Sequence, residues 1–183
     1  MNNFLELTAK RRSCRAFDPE REISDAALDY CLQSAGRAPS ACNRQPWRFM
    51  LVQNSDMRKK IIDEGLLPGI KHDWLHTAPC IVVLYVAVET ITHRLAPLFS
   101  RVPYQFVDAG IAGEHFILAA AEQGLGTCWV GWIREKQLKS LLSIPKKHRL
   151  VALIPAGYPV DPCHFDSPAP TSRKAIDDIS QRR

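Results

Sequence analysis

The stretch "CIVVLYVAV", residues 80–88, is apolar without a break and rich in β-branched side chains. A strand with one wet face would alternate polar and apolar positions, so this run predicts a central strand covered on both sides. "WRFMLVQ", "GTCWVGWI" and "RLVALIPAGYP" predict three further strands. Helical spacing marks the rest. Residues 3–10 form a short first helix that runs into the basic segment "KRRSCR". In the second helix Ala27, Leu28, Cys31, Leu32 and Ala35 share one face, Ser24 is placed to cap it, and it stops before Pro39. Ser55 is expected to cap "DMRKKIIDEG", with Gly65 in a helix-stop position. "VDAGIAGEHFILAAAEQ", about Val107 to Gln123, predicts a long helix that Gly124 ends, and a small helix is expected near Glu135 to Leu142. A helix with so few polar positions as the long one is deeply buried or shared with a partner. The order mixes helices and strands, which suits layers around one sheet.

The chain has 183 residues, enough for one sizeable core, so a single domain over 1–183 is expected. Residues 160–183 are Pro-rich at their start and carry few core-facing periodic positions, which suits an extended C-terminal arm. No apolar run approaches the roughly 20 residues needed to span a bilayer. Six cysteines occur without a CxxC pair and no secretory signal precedes them, so they read as reduced thiols in a cytoplasmic protein. A net charge of +5 favours anionic partners but leaves nucleic acid, membrane surface and phosphorylated small molecules all open.

Two stretches carry chemistry. Arg11, Arg12 and Arg15 surround Ser13, and guanidinium forks recognise phosphate oxygens with paired hydrogen bonds. A solvated charged face is the plainer reading of the same run. "APSACNRQPWRF", residues 38–49, sets Asn43, Arg44 and Gln45 between two packing elements. Asn and Gln each present a donor and an acceptor, so the cluster suits a planar polar ligand, or else it satisfies its own turn backbone.

"RRSCRAF", "APSACNRQPWRF", "VDAGIAGEHFILAAAEQGLGTCWVGW" and "IPAGYP" occur in the order and approximate spacing of the FMN-dependent nitroreductase family, which the chain resembles over nearly its whole length. The resemblance implies an α+β, three-layer nitroreductase-like fold: a central mixed, mainly antiparallel sheet flanked by helices, an extended C-terminal arm and an intertwined homodimer. It implies an enzyme that uses FMN, with NADH or NADPH as donor, to reduce nitroaromatics, quinones or flavins by ping-pong hydride transfer at flavin N5, without a catalytic side chain. Arg11, Ser13 and nearby Arg12 would hold the FMN phosphate, and Arg15 would lie near the N1/C2 edge, where negative charge collects on reduction. Pro39, Ser40, Asn43 and Gln45 match positions that meet the pyrimidine edge and ribityl hydroxyls, often from the neighbouring subunit. Val130 and Gly131 would bring backbone to the N5/O4 region, Gly131 permitting close approach unless it serves a bulge or tight packing. Arg173 in "SRKAIDDIS" would be a second phosphate ligand, with Lys174 a weaker candidate. Trp47 reads as core. Residues 89–104, with Phe99, Arg101 and Tyr104, occupy a region that varies among members and either line an acceptor pocket or pack under the long helix.

Other signals are weaker. His72 and His76 have the i, i+4 spacing of a zinc helix but lack its glutamate and a third ligand, so no metal is expected. Cys14 among three arginines is either an activated thiol or a small residue in a tight loop. "GLGTCWVG" is not a dinucleotide fingerprint, and no Walker motif is present. The alternatives that stay open are a specialised flavoenzyme of the same fold, a non-catalytic flavin carrier and a basic nucleic-acid-binding protein. The last lacks aromatic residues interleaved with the basic ones.

Overall fold

A computed structural model describes residues 4–69, 72–87, 102–169 and 172–183. Strand β2, Cys80–Val86, lies inside a four-stranded sheet of order β1-β2-β4-β3, with β1 at Trp47–Val52, β3 at Gly126–Thr127 and β4 at Arg149–Gly157. Each paired strand is antiparallel to its neighbour. A parallel link comes from an isolated bridge, Ser13 to Thr127.

Alternation along β2 builds three layers. Cys80, Val82, Leu84 and Val86 pack into one apolar cluster with helix α2, Asp25–Gly36, and with the long helix α4, Tyr104–Glu122. Ile81 and Val83 point the other way, joining Ile61 and Ile62 of α3, Ser55–Gly65, and Leu138 of α5, Glu135–Leu141. Because successive strand side chains face opposite sides, a run without polar positions is what a strand between two helical layers requires. The fold is therefore three-layer α+β, as expected. Helix α1, Phe4–Lys10, precedes these layers, and a short helix α6, Ile176–Ile179, follows them in the C-terminal arm.

Helix ends explain themselves locally. Ser24 Oγ accepts the Ala27 N–H of α2 at 3.3 Å. For α3 the cap is Asn54, not Ser55: Asn54 Oδ1 accepts the Met57 N–H at 2.9 Å, and Ser55 becomes the first helical residue. Gly65 does end α3, but packing rather than a left-handed turn is why it is glycine. It ends α3 inside the core, where a Cβ would lie 2.2 Å from Leu138 Cδ2, so glycine is needed for α3 and α5 to touch. Helix α4 ends as expected. Gly124 takes φ +74°, Leu125 N–H bonds Ala120 O at 2.8 Å and Gly124 N–H bonds Ala121 O at 3.0 Å, the paired closure of a Schellman motif.

"GTCWVGWI" forms only a two-residue strand. The register of β3 on β4 nevertheless continues past it, from Gly126 opposite Gly157 to Val130 opposite Leu153. The interruption falls at Cys128, which faces Pro155. Cys128 N–H reaches Pro155 O at 3.3 Å, but proline has no N–H to return. Phe99 and Arg101, read as either lining an acceptor pocket or packing under the long helix, lie outside the described residues; Tyr104 is the first residue of α4 and half exposed.

Candidate functional site

Past α1 the chain turns extended, and its side chains alternate: Ser13 and Arg15 are exposed while Cys14 is 2% exposed. Cys14 N–H donates to Thr127 O at 2.9 Å, fixing this segment along β3. The inward position of Cys14 settles its alternatives. Burial pushes its thiol above the usual cysteine range and outweighs the nearby Arg12 and Arg15, so it is a small packed residue rather than an activated nucleophile. Cys128 is raised by burial in the same way.

Arg11, Arg12, Ser13 and Arg15 line one cleft of about 560 Å³, and Arg173, 158 residues after Arg15, lines it too, with Asp161, His164 and Ala169. The C-terminal arm reaches the cleft because it is sewn to the N-terminal segment: Asp18 N–H bonds Tyr158 O at 2.9 Å, Val160 N–H bonds Ala16 O at 3.2 Å and Ala169 N–H bonds Ala9 O at 2.8 Å. Arg12 Nη2 pairs with Asp161 Oδ2 at 3.2 Å. Its Nε is buried with no hydrogen-bond partner among the described residues. Arg11 and Arg15 make no ion pair among the described residues. A cleft lined by four arginines and one carboxylate suits a dianionic group.

Arg15 also lines a second cleft of about 480 Å³, whose other walls are His72, Trp74, Cys128, Trp129, Val130, Gly131 and Trp132. Val130 is anchored by two 2.9 Å bonds with Leu153, so the backbone after it is presented at a fixed height. A Cβ on Gly131 would meet nothing within 4 Å, which rules out tight packing as the reason for that glycine and leaves open space in front of it. Trp129 leans on α4 at Gly113, where a Cβ would lie 2.4 Å from its ring. The second cleft is therefore aromatic, with a cation at the end it shares with the first.

Pro39, Ser40, Asn43 and Gln45 line neither of these clefts. They form a separate loop around a 3-10 turn, Ala41–Asn43, where Cys42, Asn43 and Gln45 hold φ of 52°, 53° and 48°. Gln45 N–H donates to Ser40 Oγ at 3.0 Å, and Gln45 Nε2 donates to Asn43 Oδ1 at 2.9 Å. Both amide side chains are exposed. Trp47 is 7% exposed and belongs to the core. His76 Nε2 lies 3.7 Å from Asp63, while His72 turns to the aromatic cleft beside Trp74, so the two histidines do not converge. No helix among the described residues is long and apolar enough to cross a membrane.

The sequence reading missed Asp161 and His164 in the first cleft and the tryptophans in the second. "DPCH" carries no periodic or motif signal, and the aromatic wall draws on two segments far apart in sequence, His72 to Trp74 and Trp129 to Trp132.

The Nitroreductase family model matches residues 8–66 and 64–158. A protein of Archaeoglobus fulgidus, provisionally named as an NADH dehydrogenase/NAD(P)H nitroreductase, is 33% identical over 171 residues, covering 90% of each chain. An iodotyrosine deiodinase of Thermotoga neapolitana is 27% identical over 172 residues, 88% of this chain and 91% of that one. A provisionally named nitroreductase of Exiguobacterium sibiricum, solved in complex with FMN, shares the fold at TM-score 0.77 and 22% identity, covering 100% of this chain and 98% of that one.

Proposed function

The chain belongs to the nitroreductase family, and from that premise we propose that it is an FMN-dependent NAD(P)H oxidoreductase that reduces nitroaromatics, quinones or flavins in alternating two-electron half-reactions. The observation that carries the reading is Arg15, which lines both the basic and the aromatic cleft and so joins a phosphate site to a ring site. The residues fit the group: FMN combines a phosphate monoester with a planar tricyclic ring, and the family neighbour from Exiguobacterium sibiricum binds it.

Two-electron redox chemistry is what FMN would supply when bound. The protein's part is positioning and charge. Arg11, Arg12, Ser13 and Arg173 hold the phosphate, with Lys174 at the edge of that group. Arg15 places a fixed cation at the N1/C2 edge of the ring, favouring the form in which negative charge gathers there. Val130 and Gly131 present backbone to the N5/O4 side, and the absence of a Gly131 side chain admits the ring. Pro39, Ser40, Asn43 and Gln45 complete the site of a second subunit in a homodimer, which accounts for their distance from both clefts of their own chain. A reductive dehalogenation of iodinated aromatics is the second reading, favoured by the Thermotoga neapolitana relative.

The test is an absorption spectrum of the purified protein, before and after anaerobic addition of NADH or NADPH, followed by re-oxidation with a nitroaromatic, a quinone or iodotyrosine. Flavin bands that bleach and return only with iodotyrosine replace the first reading with the second. Bands that do not bleach leave a flavin carrier. A colourless protein that does not take up FMN overturns both.

A further inference from the structure

The turn after β4 brings two titratable groups into a cleft whose other charged lining residues are arginines. Asp161 Oδ1 accepts the Cys163 N–H at 2.9 Å, and its backbone oxygen accepts the His164 N–H at 3.1 Å, so the turn is held by its own carboxylate residue. His164 is 8% exposed, with its ring edge-on to Phe165 at 4.7 Å. Its Nε2 is buried and has no hydrogen-bond partner among the described residues, and the same is true of Arg12 Nε. Two buried polar atoms left unmatched in the wall of one cleft are costly unless something else enters it.

We propose that His164 couples cofactor binding to protonation: its imidazole is neutral in the empty cleft and takes up one proton from solvent when a phosphate monoester dianion enters. The proposal rests on the FMN reading above and assigns a residue to it. The groups that face His164 are Arg12 from the segment after α1, Asp161 from its own turn, and Arg11, Arg15 and Arg173 across the cleft. In the empty cleft, burial first and Arg12 second hold the imidazole below its ordinary range; Asp161 and the Arg12 backbone oppose them and lose. A phosphate adds a charge of about −2 to this group of cations and reverses the balance. The reaction conserves charge: FMN dianion, neutral His164 and one proton give the complex with imidazolium.

The sign follows from linkage. Between the pKa of the empty cleft, below 6.5, and that of the loaded one, binding takes up a proton, so FMN affinity falls as pH rises, by up to about tenfold per pH unit. The experiment measures FMN Kd by flavin fluorescence from pH 5.5 to 8 for the wild type and His164→Gln. Riboflavin, which lacks the phosphate, serves as the control. The ratio of the two FMN Kd values cancels the phosphate's own titration near pH 6. A ratio that changes about tenfold or more across the range, with no change for riboflavin, supports the proposal; a flat ratio overturns it. Should His164→Gln fail to fold, the His164 ring is followed by NMR in the wild type. Its titration must move from below 6.5 to above it when FMN is added, and an unmoved midpoint overturns the proposal. If the wild type binds no FMN at any pH, the FMN reading fails and the proposal with it; wild-type binding with a flat ratio sinks the proposal alone.

Discussion

Gly126 packs so closely on Cys14 that a Cβ on Gly126 would lie 2.6 Å from the Cys14 Cβ and 2.7 Å from its Sγ. Cys14 has nowhere to go: it is 2% exposed, its N–H is bonded to Thr127 O at 2.9 Å and its Sγ to Ala16 O at 3.2 Å. Gly126→Ala therefore has to displace the segment that carries Ser13 and Arg15. Overpacking of this kind costs about 1–3 kcal/mol. At roughly 2–4 °C per kcal/mol in a domain of this size, Tm should fall measurably in a calorimetric scan, and FMN Kd should rise with it. An unchanged Tm together with an unchanged Kd would show that the contact is not rigid.

Arg11 and Arg15 are four residues apart in the segment after α1, yet they should separate cleanly in function. On the proposed FMN reading, Arg15→Gln removes the cation beside the ring and is expected to lower the two-electron midpoint potential of bound flavin by roughly 30–60 mV, the equivalent of about 1.4–2.8 kcal/mol. On the same reading Arg11→Gln removes a phosphate contact; FMN Kd should rise roughly tenfold or more while riboflavin Kd stays put, as expected for a charge-assisted hydrogen bond. Spectroelectrochemistry and fluorescence titration of both variants decide the matter. Equal potential shifts in the two would refute the assignment of Arg15 to the ring.

Where one physical rule controls an element, the sequence sufficed. The unbroken apolar run of β2 reports burial on two faces, and Gly124 reports a left-handed cap. Where two rules compete, it did not. Asn54 and Ser55 are both good caps, and only the position of the Met57 N–H chooses between them. Gly65 reads as a stop locally but is required by Leu138, 73 residues away. The edge strand fails at Cys128 because its partner is Pro155, a pairing visible only once the register is known. The basic cluster after α1 was legible as an anion-binding run, but the Asp161 and His164 that share its cleft arrive through the folding back of the arm, which leaves no local pattern.

Glu135 gives the fold a pH dependence away from the clefts. Its Oε1 accepts Arg149 Nε at 2.9 Å and the Leu150 N–H at 3.2 Å, with Lys139 Nζ at 2.8 Å. Burial raises its pKa, but these hydrogen bonds outweigh burial and hold the carboxyl below its ordinary 4.5. A depressed carboxyl stabilises the fold above the unfolded-state pKa, and that contribution disappears as pH falls through the folded one. Glu135→Gln should thus cost about 1 kcal/mol in urea unfolding at pH 7, the scale of a partly exposed network. The gap between wild type and variant should close as pH falls below the ordinary 4.5 and through the lowered folded-state value. A gap that is constant with pH would mean that packing, not charge, makes the difference.

Asp108 is 5% exposed within the apolar helix α4, and its Oδ1 accepts the Ala41 N–H at 3.1 Å. That one bond ties α4 to the loop holding Asn43 and Gln45. The loop needs such an anchor, because Cys42, Asn43 and Gln45 all sit at positive φ, a region that non-glycine residues occupy only when their surroundings impose it. Asp108→Ala removes the acceptor and leaves the Ala41 N–H to find water, at a cost of about 1–3 kcal/mol. The loss should concentrate in the loop, so amide exchange of residues 41–45 should quicken more than that of β2. Asp108→Asn retains a side-chain oxygen and should do less. In a homodimer whose loops complete the partner's site, FMN Kd should rise in Asp108→Ala although the variant leaves Arg11, Ser13, Arg15 and Arg173 untouched. Faster exchange in the loop with an unaltered Kd would place Pro39, Ser40, Asn43 and Gln45 outside the cofactor site.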